Sequence, residues 1–228
     1  MCPGKRRQWR NSWRFHLRIE ASRLGRRAVA IARYAGMRGV WFAVLGELGY
    51  RRLAIREVIL DQQFPEPAAT IPITFDSIEF SQVEEYIAFR QGADIDRVRR
   101  RFERGDKCFV ARDKGRIISA QWAATARAHC VYLSCTVPLA EHEAYLYDAF
   151  TLPESRGKKI YSALTSEMHR YYRAEGKRRS LCFTGPENLP AMRADTGYRR
   201  IGMIGYFFIG SVHRPFIRVY PGERGPGE

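Results

Sequence analysis

The sequence predicts an α+β fold: a mixed, mostly antiparallel sheet flanked by helices, with a basic helical extension at the N-terminus. Apolar residues recur at helical spacing in two neighbouring segments, 80–90 and 93–103. An Asp-Lys-Gly turn at 113–115 separates two β-rich runs, as in an antiparallel hairpin. A further β-rich run, 144–151, passes through a basic loop into a helix. The apolar run after that helix, 181–184, completes a parallel crossover.

The elements are predicted in the order strand, two helices, three or four antiparallel strands, helix, strand, short helix and two final strands. The apolar stripes of the first two helices are assigned to the core. In chain order, the predicted strands cover 71–75, 108–112, 116–122, 129–135, 144–151, 181–184, 198–209 and 212–220. The longer predicted helices cover 80–90, 93–103 and 160–174.

The most informative segment is 145–161, where a strand meets a helix through a basic loop. The strand ends near Pro153, and the loop carries Arg156, Gly157 and two lysines. The first backbone N–H groups of a helix have no internal acceptor, and the helix dipole leaves them partly positive. A phosphate or pyrophosphate can therefore bind there, because glycine allows close approach of the backbone and the basic side chains add charge.

This segment resembles motif A of the GNAT superfamily of acyl-CoA-dependent N-acyltransferases. In that motif a strand leads into Val-x-Pro-Glu-x-Arg-Gly-x-Gly-x-Gly and then a helix. Residues 151–157, Thr-Leu-Pro-Glu-Ser-Arg-Gly, match it well. Lys159 and Tyr161 depart from it, since the family usually has small residues at these two positions.

A second segment, 180–202, strengthens the resemblance. It reads as a strand, an asparagine at the start of a short helix, and a Gly-Tyr pair that opens another strand. In the family this asparagine, here Asn188, commonly faces the pantetheine arm of CoA. Asn188 is also a good helix N-cap with Pro190 just inside the helix, so it either caps the helix only or also contacts the ligand. The resemblance covers residues 75–220.

The resemblance implies an acyltransferase that moves an acetyl or other acyl group from acyl-CoA to an amine acceptor, without a metal. The alternative is a non-catalytic acyl-CoA-binding or scaffold protein with the same fold. The altered loop favours it, as does Arg193, which stands where many relatives have a proton-donating tyrosine. The residues that the resemblance assigns to acetyl-CoA binding are Phe150, Thr151, Leu152, Arg156, Gly157, Lys158, Lys159, Ile160, Tyr161 and Asn188.

Acyl transfer needs few protein groups, because a thioester is already reactive. A base deprotonates the amine, a backbone N–H holds the oxyanion, and a hydroxyl protonates the leaving thiolate. Asp148 and Tyr147 are the predicted catalytic residues. Asp148 is a carboxylate in an apolar and aromatic strand, where burial would raise its pKa. A structural hydrogen bond is its alternative role, with Glu143 or water as base. The proton donor would be Tyr161, Tyr198 or water.

Positive charge is concentrated in residues 1–60, which hold 14 of the 39 Lys and Arg residues and three of the 24 acidic ones. We predict that residues 1–52 form a basic amphipathic extension and residues 53–228 the acyltransferase domain. The extension either lies on an anionic membrane surface or packs on its own domain with its arginines in solvent. Nucleic acid ranks third as a partner, because the sequence contains no known DNA- or RNA-binding pattern.

Other chemistries have no matching pattern in the sequence. The five histidines show none of the spacings that bind metals. The five cysteines form no C-x-x-C pair, and the sequence predicts reduced thiols in a cytoplasmic protein. No apolar run has the length of a membrane span, and the Arg-rich start lacks the apolar core of a secretory signal.

Overall fold

The computed structural model describes residues 49–209 and 212–220, together with 32, 36–37, 39–42 and 44–46. Most of the predicted N-terminal extension lies outside these residues. The strands are β1 (Tyr50–Ile59), β2 (Thr74–Ile78), β3 (Lys107–Asp113), β4 (Arg116–Ala124), β5 (Arg127–Cys130), β6 (Cys135–Pro138), β7 (Glu143–Thr151), β8 (Arg179–Thr184), β9 (Arg199–Ile209) and β10 (Val212–Val219). The helices after β1 are α1 (Val83–Phe89), α2 (Ile95–Glu103), α3 (Ile160–Ala174) and α4 (Leu189–Arg193).

Eight strands form one sheet in the order β10-β9-β1-β8-β7-β4-β3-β2, and β5 pairs with β6 in a separate hairpin. Neighbouring strands in the large sheet are antiparallel except for β7 and β8, which are parallel. Helix α3 makes the crossover between these two strands. The predicted mixed, mostly antiparallel sheet with flanking helices is therefore confirmed.

The two faces of the sheet are covered differently. On one face, α3 packs Leu164 and Met168 against β4 and β7. On the other face, α1 and α2 cover Trp122 of β4. Tyr147 of β7 lies directly opposite Trp122, and Tyr145 shares its face because side chains alternate along a strand. Tyr145 packs in a cluster with residues of the β5–β6 hairpin. The helices and the hairpin therefore cover the same face of the sheet, side by side along β7.

Strand β1 was not predicted, although it lies inside the sheet, antiparallel to both β8 and β9. Its charged residues obscure the apolar alternation of the segment. Arg56 and Glu57 are buried and hydrogen-bonded, except that Arg56 Nε has no partner among the described residues. The Arg56 guanidinium donates to main-chain carbonyl groups at the end of α4 and at the start of β9. The Glu57 carboxylate accepts hydrogen bonds from Arg179 and Arg199.

The prediction of a single strand over 129–135 is wrong. Strand β5 ends at Cys130, a 3₁₀ turn covers 131–133, and β6 begins at Cys135. Ser134 closes the turn in the left-handed conformation, with φ 49°. Because neither glycine nor proline marks this turn, a run of β-branched and aromatic residues resembled one continuous strand.

His169 of α3 points into the core and is fully buried. Its Nε2 lies 3.3 Å from the Tyr198 hydroxyl, and its Nδ1 has no hydrogen-bond partner among the described residues. Burial lowers the pKa of His169 from 6.5 to about 3, and the charge of Arg173 adds to the effect. The folded protein therefore holds a neutral histidine at pH values where the unfolded chain carries a charged one.

We expect the free energy of unfolding to decrease as the pH falls from about 6.5 towards 3, by up to ~1.4 kcal/mol per pH unit from His169 alone. The unfolded chain binds a proton in this window and the folded chain does not, so protons favour unfolding. Above pH 6.5 the contribution is complete. Urea denaturation at a series of pH values should show a shallower dependence for His169→Gln. The exposed His142 provides the control, since His142→Gln should keep the pH dependence of the parent. Equal pH dependences for the parent and His169→Gln would contradict this account.

Candidate active site

A cleft opens where β7 and β8 separate. The two strands pair only from Glu143 opposite Arg179 to Tyr145 opposite Leu181, and the described residues beyond this point form no further pairs between them. Strand β7 nevertheless continues to Thr151 along β4. The edge of β7 that faces β8 is therefore open over half of its length, and its backbone groups are available to another chain or ligand.

A β-bulge shapes the strand at the middle of this cleft. Between two paired positions, Trp122–Tyr147 and Ala120–Phe150, β7 has one residue more than β4. Asp148 lies in the bulge with φ 49°, in the left-handed region that is unfavourable for most residues. A bulge bends its strand and increases its local twist, which carries the end of β7 away from β8.

The Asp148 carboxylate joins this bulge to both helices above it. It accepts hydrogen bonds from Arg90 Nη2 at 2.7 Å, just after α1, and from Arg101 Nη1 at 2.6 Å, in α2. Burial acts to raise the pKa of Asp148, but the two guanidinium charges and their hydrogen bonds outweigh it, so the net shift is downward. The raised pKa expected from the sequence is wrong, because that expectation left out both arginines.

We expect Asp148→Asn to lower the free energy of unfolding by about 2 kcal/mol, because two partly buried guanidinium groups lose their carboxylate. Asparagine tolerates the left-handed conformation, so the loss reports on charge and not on backbone strain. Chemical denaturation measures it. Asp61→Asn is the matched control: it removes an exposed carboxylate from the exposed Arg178 and should cost much less. An Asp148→Asn variant as stable as the parent would exclude this clamping role.

Tyr147 lies beside the cleft but its hydroxyl is engaged in the protein. It donates a hydrogen bond to Asp106 Oδ2 at 2.6 Å, and its ring stacks on Tyr145 at a centroid distance of 5.4 Å. Burial raises the pKa of Tyr147, and the neighbouring charge of Asp106 raises it further. The hydroxyl thus stays protonated at neutral pH. Asp106 is itself buried and also accepts a hydrogen bond from Arg104.

The basic loop presents unpaired backbone donors at the end of the cleft. The N–H groups of residues 157–161 donate to no main-chain carbonyl group of the described residues, and the first helical bond runs from Ala163 to Lys159. Gly157 has φ 78°, which favours glycine. Thr70 fixes the loop from outside by donating its N–H to the Lys158 carbonyl oxygen at 3.0 Å. Such a cluster of donors at a helix start suits an anionic group.

Lys159 departs from the family pattern in its side chain but not in its backbone. Its φ of 56° is the left-handed conformation that glycine adopts without cost. Tyr161, the second departure, is half-buried at the first turn of α3, and burial raises its pKa to about 12. Ile160 is buried in the core between them, so only its backbone is available to a ligand.

Residues 150–152, which the sequence assigns to cofactor binding, contact the protein with their side chains. The Phe150 ring packs edge-on against Phe89 at 5.5 Å. Thr151 Oγ1 lies 2.8 Å from Ser119 Oγ, and Leu152 packs into the cluster that contains Ile160. Within the backbone of this segment the Leu152 N–H donates to the Ile118 carbonyl oxygen at 2.9 Å, so only the backbone groups without a partner remain for a ligand. Arg156 is exposed and its Nε donates to the Thr151 carbonyl oxygen at 3.2 Å.

Asn188 and Tyr198 lie on the β8 side of the cleft. Asn188 is the N-cap of α4, and its side chain accepts a hydrogen bond from the Ala191 N–H at 3.4 Å. Tyr198 is buried under α3, where its hydroxyl lies 2.6 Å from Ser180 Oγ and 3.3 Å from His169 Nε2. Both of these partners belong to the core, so the Tyr198 hydroxyl is not placed to protonate a ligand in the cleft.

Sequence reasoning missed the residues that hold β7 in place: Arg90, Arg101 and Asp106. A signal was present for one of them. Arg101 follows Val98 by three residues, so it lies on the apolar face of α2 and is buried there. A buried arginine requires an acidic partner, and the acidic residue of the neighbouring strand, Asp148, is that partner.

The open edge of β7 leads into the loop of unpaired N–H groups at 157–161, and this arrangement suits an extended ligand with an anionic end. The model of the acetyltransferase (GNAT) family matches residues 75–202, which is more than half of the chain. The chain belongs to this family.

One solved structure supports the fold, and two others align less closely. The glucosamine N-acetyltransferase region of a fungal multi-domain β-N-acetylglucosaminidase aligns at 17% identity and a TM-score of 0.52, over 72% of this chain and 22% of that one. GCN5-related N-acetyltransferase from Sphaerobacter thermophilus aligns at 15% identity and a TM-score of 0.49, over 72% of this chain and 54% of that one. An acetyltransferase of the GNAT family from Novosphingobium aromaticivorans aligns at 18% identity and a TM-score of 0.48, over 68% of this chain and 63% of that one. This chain thus spans less than two thirds of each of these proteins.

No curated protein gives a significant sequence match. Among the described residues, no helix combines the length and apolar character of a membrane span. The same residues contain no group of three or more His, Cys, Asp or Glu side chains placed to bind a metal ion.

Proposed function

We propose that this protein transfers an acetyl or other acyl group from acyl-CoA to an amine acceptor. The observation that carries the proposal is the continuity of the open β7 edge with the loop of unpaired N–H groups at 157–161. An acyl-CoA has complementary parts in the same order: a thioester, a pantetheine arm with two amides, and a pyrophosphate. The amides can pair with the strand edge as an added strand would, and the pyrophosphate fits the helix start.

The proposed cofactor contacts follow from this placement. The backbone groups of Phe150, Thr151 and Leu152 that have no partner in the protein are proposed to contact pantetheine, because the side chains of these residues contact the protein and the Leu152 N–H donates to Ile118. The N–H groups at the start of α3 bind the pyrophosphate, and nearby positive charges assist them. The residues proposed for the pyrophosphate are Arg156, Gly157, Lys158, Lys159, Ile160 and Tyr161. Asn188 is proposed to contact pantetheine from α4 while it caps that helix.

In the proposed reaction the neutral amine attacks the thioester carbon, and a backbone N–H of β7 beyond Tyr145 stabilises the oxyanion. The C–S bond then breaks and the thiolate takes a proton. Asp148 and Tyr147 are the proposed catalytic residues beside this point. The lowered pKa of Asp148 makes it a weak base, so we propose that the amine proton leaves through water bound to this carboxylate. The Tyr147 hydroxyl is protonated and is the proposed donor to the thiolate, for which it gives up its hydrogen bond to Asp106.

The test is release of free CoA thiol from acetyl-CoA and longer acyl-CoAs in the presence of a library of amines, with mass spectrometry of the acylated product. Acceptor-dependent release supports catalysis. Acyl-CoA binding without release by any amine would favour the non-catalytic acyl-CoA-binding protein. Absence of acyl-CoA binding by calorimetry would contradict both of these roles and leave the scaffold protein.

The role of the predicted extension, residues 1–52, is proposed separately. Its positive charge and aromatic residues favour an anionic membrane surface. Co-sedimentation with anionic vesicles tests this, comparing the full chain with one that begins at Gly46, because a start after residue 50 would cut into β1. Equal sedimentation of the two chains at low salt would exclude membrane binding by the extension.

A further inference from the structure

The β5–β6 hairpin brings two cysteines face to face. Cys130 is the last residue of β5, Cys135 is the first of β6, and they are direct cross-strand partners. If 129–135 formed one strand, these two side chains would point to opposite faces, since they are five residues apart. The pair is thus a product of the turn that the sequence did not reveal.

The ladder defines the separation of the two cysteines. Leu139 N–H donates to the Ala126 carbonyl oxygen at 3.1 Å, which marks 126 and 139 as a hydrogen-bonded pair. Hydrogen-bonded and non-hydrogen-bonded pairs alternate along an antiparallel ladder, so Cys130 and Cys135, four positions along, form a hydrogen-bonded pair. Such pairs have Cα atoms about 5.5 Å apart, within the range of disulfides.

The same geometry makes the bond strained. Cβ atoms of directly opposed residues lie about 4.5–5.5 Å apart, and the closer values belong to non-hydrogen-bonded pairs. A disulfide needs a Cβ separation of about 3.8 Å, so its formation draws the two strands together. Strained disulfides are the more easily reduced ones, and this favours a reversible bond over a permanent one.

The two thiols contact each other in a half-open environment. Cys130 is buried against Leu53 and Ile204 of the large sheet, whereas Cys135 is partly exposed at its edge. Burial raises the pKa of Cys130 to about 11, although N–H groups of the turn point at its sulfur, and burial also raises the pKa of Cys135. The thiolate fraction is therefore small at neutral pH and grows as the pH rises.

We propose that Cys130 and Cys135 are a reversible dithiol–disulfide site that reacts with small disulfides such as oxidised glutathione. The more exposed Cys135 thiolate attacks one sulfur of oxidised glutathione, forming a mixed disulfide and releasing one glutathione thiolate. The Cys130 thiolate then attacks the Cys135 sulfur and releases the second glutathione. Two protein thiols are oxidised, one small disulfide is reduced to two thiols, and the two protons leave with them.

The site lies next to the cleft, although the proposal does not depend on acyl transfer. The hairpin contacts Tyr145 through Ala128 and Val137, and the Tyr145 ring packs on Phe183 of β8 at 4.9 Å. Both strands that border the cleft thus support the hairpin. Oxidation of the pair links the two strands of the hairpin beside this wall.

The test treats the folded chain with oxidised glutathione at about pH 8, alkylates the remaining thiols and maps the peptides by mass spectrometry. All samples carry Cys2→Ser, so that every remaining cysteine is one whose burial the structure describes. We expect the disulfide between Cys130 and Cys135, seen as a loss of two hydrogen atoms from their peptide, to form at least tenfold faster than a glutathione adduct forms on Cys108 or Cys182. Both of these cysteines are buried in the core. The rate should rise about tenfold per pH unit below the thiol pKa.

Cys130→Ser separates the two steps, because it leaves the attacking thiol without a resolving partner. This variant should accumulate a glutathione adduct on Cys135. An equally stable adduct in the parent, without the internal bond, would overturn the proposal. So would oxidation of the pair no faster than that of Cys108. The parent alone decides the question if the variant does not fold.

Discussion

A chain that begins at Leu60, and therefore lacks β1, is expected to lose its cooperative unfolding transition. Strand β1 occupies the position between β8 and β9, and its removal leaves both of these strands with an unpaired edge inside the sheet. It also removes the buried Glu57, the carboxylate partner of Arg179 and Arg199. We expect the loss of strand pairing, of buried surface and of these ion pairs to exceed, in free energy, the roughly 5–15 kcal/mol by which a domain is typically stable. The expectation matters because the family match begins only at residue 75.

Circular dichroism during thermal denaturation measures this effect. The matched control is a chain that begins at Gly46, which keeps all of β1 and should retain the sigmoidal transition of the full chain. A cooperative transition in the chain from Leu60, with near-native circular dichroism before it, would show that β1 is dispensable.

Gly157→Pro is expected to weaken acyl-CoA binding at least tenfold, about 1.4 kcal/mol in binding free energy. Proline fixes φ near −65°, whereas Gly157 has φ 78°, so the loop must rearrange. Proline also lacks the N–H that residue 157 contributes to the proposed pyrophosphate site. Calorimetric titration with acetyl-CoA gives the dissociation constant directly.

Gly115→Pro is the control for backbone strain in this experiment. Gly115 has nearly the same conformation, φ 82°, but lies in the turn between β3 and β4. Both variants should lose stability, and only Gly157→Pro should lose affinity when titrated at a temperature where each is folded. Equal affinities for the two variants would remove the loop from the proposed site.

The sequence predicts the parts of the fold that local signals determine. Helix α3 begins and ends at the predicted residues, and β7 differs from its prediction by one residue at its start. In both cases the boundaries coincide with strong local features: the Pro153 turn, the glycine loop and a clear change of apolar period. The β3–β4 hairpin was predicted for the same reason, since Lys114 and Gly115 adopt the left-handed conformations that such turns require.

The remaining features depend on contacts between distant residues, which no local pattern reveals. Strand β1 is stabilised by arginine and glutamate side chains whose partners lie more than a hundred residues away. The pKa of Asp148 is lowered by one arginine that follows α1 and one that lies in α2. Strand β2 begins at Thr74, three residues later than expected, because its boundary is set by pairing with β3.

The position of β1 also has a consequence for the order in which the chain can fold. Ala54 pairs with Thr184, so about 130 residues separate the two strands. During synthesis β1 leaves the ribosome first but must wait, with both edges unpaired, until β8 and β9 emerge. Closing so long a loop is slow, because its entropic cost precedes any gain from pairing. The early chain therefore exposes a strand that is prone to aggregate, and its Arg51, Arg52 and Arg56 are the kind of charged residues that discourage such association.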